Sequence, residues 1–534
     1  MKQTLRIFRK DLRHHWPEIS ISLVLLALYC WREVRTEYMG VRAYEFISFI
    51  PWLEFVQLLL PLSWFLLIVR LVQDESLVGD RQWWVTKPYQ WPKLLAAKLL
   101  SMLIWLLVPL FLAKCFLLRA GGFALAPHLT GLIRDVFGLP LILFVFCFVL
   151  ACLSRTLGHA VIAVIAVFLL MTGGSTFERF IPDHSLESLE RVTFTLSGII
   201  ISVTTLAVVL WQYARRRTLH ARTLLLAAIL ATGVVEVVTP YRALMEKKYP
   251  SAALQDQPFH MTFRPAAPPD HKPTSSPRWK SDYVALRIPI QISGVSSSGF
   301  VTVDAQRLSI EDSSGGKWND AWARSGQEWW PENNSAWSIL SVKNSVYEQL
   351  KSQTVKLRLE MAVSEFRLSA PREVLIRRGD FAATSLGICS LPVPRLSMLT
   401  CRSAFVVPSF VATFDPTNAK CPLPTEKGEE PLAASRFASF RHGQPGLWID
   451  PVISYTVYFF SGTNGDPLAK APRQQTFCPG DRVTLTTPYL YRRVRMEAIL
   501  EPVQMENFRL VYPGEEGGTQ WDLRSFWVGA LVAK

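Results

Sequence analysis

The stretch QDESLVGDRQWWVTKPYQWPKLLAAK, Gln73 to Lys98, decides how the rest of the chain is read. It carries three acids, several bases and three tryptophans, and it lies between two of the most apolar runs in the sequence. A segment this polar, flanked this way, is a loop joining two helices whose own surroundings are apolar. Whatever the loop does, it does at the ends of those helices.

Working outward from it, the 534-residue chain is 50% hydrophobic, which is high for a soluble protein. The excess is confined to the first part. Up to about Pro240 the sequence alternates apolar blocks with short charged loops; beyond Tyr241 it becomes mixed, dotted with proline and alternating in polarity. Residues 1–15 form a candidate interfacial helix, 16–240 a transmembrane domain, 241–282 a proline-rich linker and 283–534 a β-rich domain.

A spanning helix needs about 20 predominantly apolar residues. Seven blocks qualify as candidates: Trp16–Trp31, Ile47–Val69, Leu94–Leu118, Leu132–Leu153, Leu157–Gly173, Val192–Tyr213 and Ala221–Pro240. The first and fifth are short and the seventh carries Glu236, so these three are also compatible with an interfacial position. With the N-terminus inside, loops on that side hold fourteen Lys and Arg residues; the opposite loops hold six, or eight with Lys114 and Arg134. The positive-inside bias therefore makes Gln73–Lys98 cytoplasmic, and an odd number of spans puts the β-rich domain on the far side. The net charge of +14 is explained by basic loops facing anionic lipid, and no basic face interleaved with aromatics suggests nucleic acid.

Ahead of the first block, Leu5, Phe8, Leu12 and Trp16 recur at helical spacing with Arg6, Arg9, Lys10 and Arg13 between them. The pattern suits a helix lying in the membrane interface, or a basic flank that only fixes topology. No small-residue cleavage site follows, so the segment reads as an uncleaved anchor. Inside the spans, Glu54 either lines a path, pairs across the bundle or reaches the outer interface. Lys98 is expected to snorkel to the headgroups unless it meets a partner protein.

Four cysteines, Cys30, Cys115, Cys147 and Cys152, lie in or near apolar blocks, and four, Cys389, Cys401, Cys421 and Cys478, lie in the β-rich domain. An even number in a disulfide-permissive compartment suggests two bridges; Cys389–Cys401 is favoured because CSLPVPRLSMLTC reads as two extended pieces around a proline turn, which leaves Cys421 with Cys478. The spacings contain no C-x-x-C, which argues against zinc there.

Strand signals dominate after residue 283, in YVALRIPIQISGV, VKLRLEMAVSEFRL, SAFVVPSFVATF, GLWIDPVISYTVYFF and DRVTLTTPYLYRRVRMEAIL. One large or two successive β-sandwiches are expected, with a boundary near Ser369–Arg377 and a helical turn at SVYEQLKSQ. The tryptophan-rich run Trp318–Trp337 reads either as core and rim packing or as a surface for sugars or lipid headgroups. No catalytic or cofactor motif is found, so neither enzyme activity nor a cofactor is expected.

Within the loop, Trp83, Trp84, Tyr89 and Trp91 suit the headgroup region, which leaves Asp74, Glu75, Asp80, Arg81 and Lys87 for water or a partner. The order D-E-x-x-x-G-D-R-Q, then K-P-Y, then A-A-K-L-L opening the next helix resembles the first cytoplasmic loop of type-2 ABC transporter permeases, with Glu75, Gly79, Pro88 and Lys98 at the matching positions. The likeness extends over about the first 215 residues and includes an outer segment, STFERFIPDHSLESLER, between the fifth and sixth spans. The seventh span and the large β domain depart from that layout.

The resemblance implies a six-span ABC-2 permease-like bundle in a bacterial-type inner membrane. Its loop would pack against a separate ABC ATPase subunit, and a second permease copy or paralogue would complete the path. No G-x-x-x-x-G-K-[ST] occurs in this chain, so hydrolysis would belong to the partner. The other reading is a membrane-anchored envelope protein that binds or senses through its β domain without transport.

Overall fold

The computed structural model describes residues 2–37, 52–74, 90–166, 187–215, 217–238, 241–251, 259–263, 283–320, 322–331, 335–383, 386–391, 398–406, 408–415, 420, 435–439, 450–458, 460–461, 473–474 and 477–509. Its first part is helical. Helix α1 (Lys2–Glu37) bends at His15, whose backbone leaves the helical region at φ −106° and ψ 15°. Pro17 supplies the cause, because it donates no N–H and its ring crowds the carbonyl four residues back. Helix α2 spans Trp52–Gln73, and α3 runs from Trp91 to Ala120 with a π-helical turn at Leu103–Leu107. Next come α4 (Leu125–Val136) and α5 (Leu139–Leu153), parted at Gly138, then α6 (Leu157–Ala166). The helical part ends with α7 (Glu187–Arg215), α8 (Thr218–Val238) and the short α9 (Tyr241–Lys248).

Among the described residues, five stretches are long and apolar enough to cross a membrane: Phe55–Gln73, Trp91–Ala120, Leu125–Leu153, Leu196–Arg215 and Thr218–Val235. The Trp16–Trp31 block is helical within α1 without joining that set, and the Leu157–Gly173 block is described only as the shorter α6. The side chains of Glu54 and Glu236 lie outside the described residues. Apolar side chains point away from the bundle, with Leu58, Val203 and Leu230 all about two-thirds exposed, as lipid-facing positions would be.

The second part is built of antiparallel sheets. A sheet of β1 (His260–Phe263), β2 (Tyr283–Ser293) and β6 (Ser335–Lys343) faces a second sheet containing β3 (Gly299–Glu311), β4 (Lys317–Asn319), β5 (Ala323–Trp329), β7 (Thr354–Leu368) and β18 (Pro488–Gln504). Their inward residues, among them Leu286, Ile288, Val303, Leu359 and Val363, are fully buried and form one core. About two helical turns, α10 (Asn344–Leu350), precede β7.

A second sandwich sets β8 (Arg372–Leu375), β12 (Phe410–Phe414), β13 (Ser435–Ser439) and β17 (Arg482–Thr486) against β9 (Gly379–Ala383), β10 (Gly387–Leu391), β11 (Met398–Ala404) and β14 (Val452–Tyr458). A small pair, β15 (Phe460–Ser461) and β16 (Arg473–Gln474), forms a separate two-stranded sheet beside β13. The two sandwiches are nested: the chain leaves β7 at Leu368, builds the whole second sandwich, and returns at Pro488 to pair β18 with β7 from Pro488↔Leu368 to Gln504↔Thr354.

Cys389 and Cys401 sit opposite one another on β10 and β11 and are disulfide-bonded in the second core. Cys478 is also disulfide-bonded, and Cys421 lies outside the described residues. Among the described residues of the tryptophan-rich run, Trp322 and Trp329 are buried, and Trp330 stacks on Phe300 with ring centroids 4.5 Å apart.

Each sandwich touches the helices at its own place. On the first, Tyr249 beyond α9 donates a hydrogen bond to Asp304 of β3 at 2.6 Å, and Met245 packs with Ala305, Trp322 and Ala362. On the second, Phe405 presses its ring against Gly131 of α4, where a Cβ would come within 2.7 Å of the ring. Phe405 holds φ at +65°, unusual for a bulky residue, while its N–H donates to the Pro451 carbonyl at 2.7 Å. Val452 closes onto Leu118 and Leu132 next to it, and Gly121 leaves the room.

Candidate functional site

The far end of the helical bundle holds the polar residues that the sequence singled out. Helix α3 rises about 45 Å over its length, so Lys98 near its start and the docking contact at Gly121 lie at opposite ends. Of the predicted loop residues, Asp74 and Lys98 are placed; Glu75, Gly79, Asp80, Arg81, Lys87 and Pro88 lie outside the described residues.

Lys98 does not reach for headgroups. It is 1% exposed, and its ammonium donates to Asp11 of α1, also 1% exposed, at 2.9 Å. The expectation of snorkelling fails for a packing reason. On α1 the inward stripe is Ile7, Asp11, His15 and Ile19, one residue per helical turn, so an aspartate faces α3 where snorkelling would have required only apolar neighbours. The apolar stripe noticed in the sequence is split: Leu5 is 51% exposed and Trp16 62%, while Phe8 and Leu12 turn toward the bundle. A buried pair of this kind orients its elements strongly, because either charge left alone would be several kcal/mol out of place.

Asp74 ends α2, where helix carbonyls make a carboxylate unwelcome. Two side chains from α1 answer it: Lys10 donates to Oδ2 at 3.2 Å and His14 Nε2 lies 3.5 Å from Oδ1. Burial tends to raise the Asp74 carboxyl, but Lys10, with Lys98 and His14 behind it, outweighs that and holds it below the ordinary value. His15, next along α1, is buried, and burial pushes its imidazole below the usual value against the pull of Asp74.

The contacts continue around the bundle end. Gln73 donates to the Ser154 carbonyl at 3.4 Å, and Arg222 near the start of α8 donates to the Leu153 carbonyl at 2.7 Å, capping the C-terminus of α5. Below Lys98, Ser101, Met102, Trp105 and Leu106 of α3 close a cavity of about 10 Å³ with Asp11 and Leu12 of α1 and Leu67, Ile68 and Leu71 of α2, room for about one water. Trp105 stands in the π-helical turn and stacks on Phe8 of α1 at 6.4 Å. Such turns are frequent at functional sites.

Sequence reasoning thus found the two helix ends and missed their partner. Lys10, Asp11, His14 and His15 were legible only as part of a basic flank, although the four-residue spacing of Ile7, Asp11, His15 and Ile19 does place two polar residues on an otherwise apolar face. The arrangement is a junction: charges from three helices are locked together at the start of the polar loop. Comparison with protein-family models and with curated proteins finds no match for this chain.

Proposed function

We propose that this chain is the membrane permease subunit of an ABC-type exporter, coupling ATP hydrolysis on a separate ATPase subunit to transport across a bacterial-type inner membrane. In this reading six helices form the permease bundle and α8 adds a seventh span. The junction at Asp74 and Lys98 faces the cytoplasm, the sandwiches lie on the opposite side, and a second permease copy or paralogue completes the path. The observation that carries it is the linkage of Asp11–Lys98 and Lys10–Asp74–His14, which fastens α1 to the ends of both helices flanking the loop. A push on that loop would move three helices together. The resemblance of the loop and of the first 215 residues to type-2 permeases supplies the ATPase as the source of the push.

Photocrosslinking from positions 74, 81 and 87 in native membranes tests the proposal. Capture of an ATP-binding-cassette ATPase supports it, and charge reversal at Asp74 is then expected to uncouple hydrolysis. Adducts to lipid alone from all three positions, in well-expressed protein, overturn it. A membrane-anchored binding protein is the second reading, favoured by the size of the nested sandwiches and the docking of the second onto α4. It predicts that deleting the β domain abolishes function while Asp74→Arg is silent.

A further inference from the structure

Beside the Asp11–Lys98 pair lies an arrangement that the coupling reading does not use. His14, His15 and Asp74 each bring a ligand atom within 4.8 Å of the other two. Consecutive residues of a regular helix point about 100° apart, so adjacent histidines ordinarily diverge. Here the backbone departs from helical geometry at His15, and the two rings meet edge to face with centroids 4.8 Å apart. The bend imposed ahead of Pro17 is what lets both rings approach the end of α2.

His15 adds an independent observation. Its side chain is 97% buried by the 3% exposure of the residue, and neither ring nitrogen has a hydrogen-bond partner among the described residues. A buried neutral imidazole normally satisfies one donor and one acceptor. With both nitrogens unspent and one of them in the cluster, it has the form of a ligand more than of a packing residue. His14 is 63% exposed on its side chain and provides the open approach that an entering ion needs.

The geometry points to a divalent transition-metal site, of the zinc class, formed by His14, His15 and Asp74. Two imidazole nitrogens and one carboxylate oxygen are the donor set of sites that leave a fourth position open. Bonds of about 2.0–2.1 Å in a tetrahedron put donors about 3.3 Å apart, so the cluster, whose ligand atoms lie within 4.8 Å of one another, closes by a contraction of at most about 1.5 Å. Lys10 is the competitor: it holds Oδ2 of Asp74 at 3.2 Å, while Oδ1 faces His14. Being 41% exposed, Lys10 can yield to water when the ion takes the carboxylate. With a single carboxylate and a lysine nearby, the expected affinity is that of an exchangeable ion rather than of a permanent structural one. The ion would brace α1 against α2 at the junction already described, whether or not an ATPase docks there.

The test uses the full chain in lipid nanodiscs, purified with a tag free of histidine and titrated with Co²⁺ as a spectroscopic probe. One Co²⁺ per chain, with visible absorption of low-coordinate character that Zn²⁺ abolishes, is the expected result. His14→Ala and Asp74→Asn are each expected to weaken binding tenfold or more. His14 is exposed, so its variant keeps the fold and separates lost ligation from lost structure. Equal affinity in the wild type and both variants, or no saturable binding in the millimolar range, overturns the site. No ATPase takes part, so this failure is distinguishable from failure of the coupling reading.

Discussion

Removing one member of the Asp11–Lys98 pair is expected to destabilise the helical bundle far more than removing both. At 2.9 Å and with each side chain 1% exposed, the two charges attract across little solvent. At an effective dielectric of about 20 their Coulomb energy is about 6 kcal/mol. Most of that is offset by the desolvation of both ions, so the pair itself contributes little net stability. The asymmetry appears when one partner goes: Asp11→Leu leaves a buried ammonium, Lys98→Met leaves a buried carboxylate, and each should cost about 3–5 kcal/mol. The double variant replaces both with apolar groups and should lie within about 1 kcal/mol of the wild type, giving a departure from additivity of about 5–11 kcal/mol. If the helical region of roughly 240 residues melts as a unit, about 2 °C accompanies each kcal/mol. Single variants then lose about 6–10 °C in a detergent melt followed by circular dichroism. Additive losses in the double variant, or single losses below about 1 kcal/mol, would refute the assignment of this pair as a buried lock.

Other predictions concern the β domain and the contact between the two parts. The Glu328 carboxyl on β5 is pushed up by burial to about 8, against a hydrogen bond from Trp330. A raised carboxyl binds its proton more tightly in the folded state, so stability should fall as pH rises from about 4.5 through about 8, and Glu328→Gln should flatten that slope in pH-dependent melts. Closing a 12-residue separation, the Cys389–Cys401 bond is worth about 3 kcal/mol on chain-entropy grounds. Replacing both cysteines by serine should therefore make the second sandwich protease-sensitive while the first stays resistant. Cysteines placed at Gly121 and Val452, where a Cβ on Gly121 would lie 3.0 Å from Val452 Cγ2, should crosslink readily. Adding Gly131→Leu should slow that crosslinking at least tenfold, since this pair keeps Phe405 and even a Cβ at Gly131 meets its ring at 2.7 Å.

The sequence made some of this legible and hid the rest for definite reasons. Apolar length shows where helices can span, and alternation shows where strands lie, because both patterns are local. Asp74 and Lys98 stood out as charges at the edges of apolar runs. Their partners did not, since Lys10 is 64 residues from Asp74 and Asp11 is 87 from Lys98. Which charge meets which is a matter of helix packing, and no local period encodes it. The nesting of the sandwiches was hidden likewise: β7 and β18 each alternate correctly, but alternation reveals which face is buried, not which strand lies alongside. The bend at His15 was within reach, because Pro17 is visible in the sequence, yet its effect on two neighbouring imidazoles depends on the end of α2 being there to meet them.

The nested order has a mechanical consequence. The first sandwich is tied to the helices by the chain leaving α8 and by Tyr249 on Asp304, while the second, carried within the β7–β18 excursion, rests on α4 through Phe405. Helices, first sandwich and second sandwich therefore form a closed linkage with three joints, not a string of beads. In such a linkage the distance from the end of α8 to the α3–α4 turn cannot change unless the angle between the sandwiches changes with it. The two crossings between the sandwiches, at Leu368 to Arg372 and at Thr486 to Pro488, are short, so that angle has little slack. Rocking of the helices that keeps this span fixed is free, and rocking that alters it must lift Phe405 out of its notch.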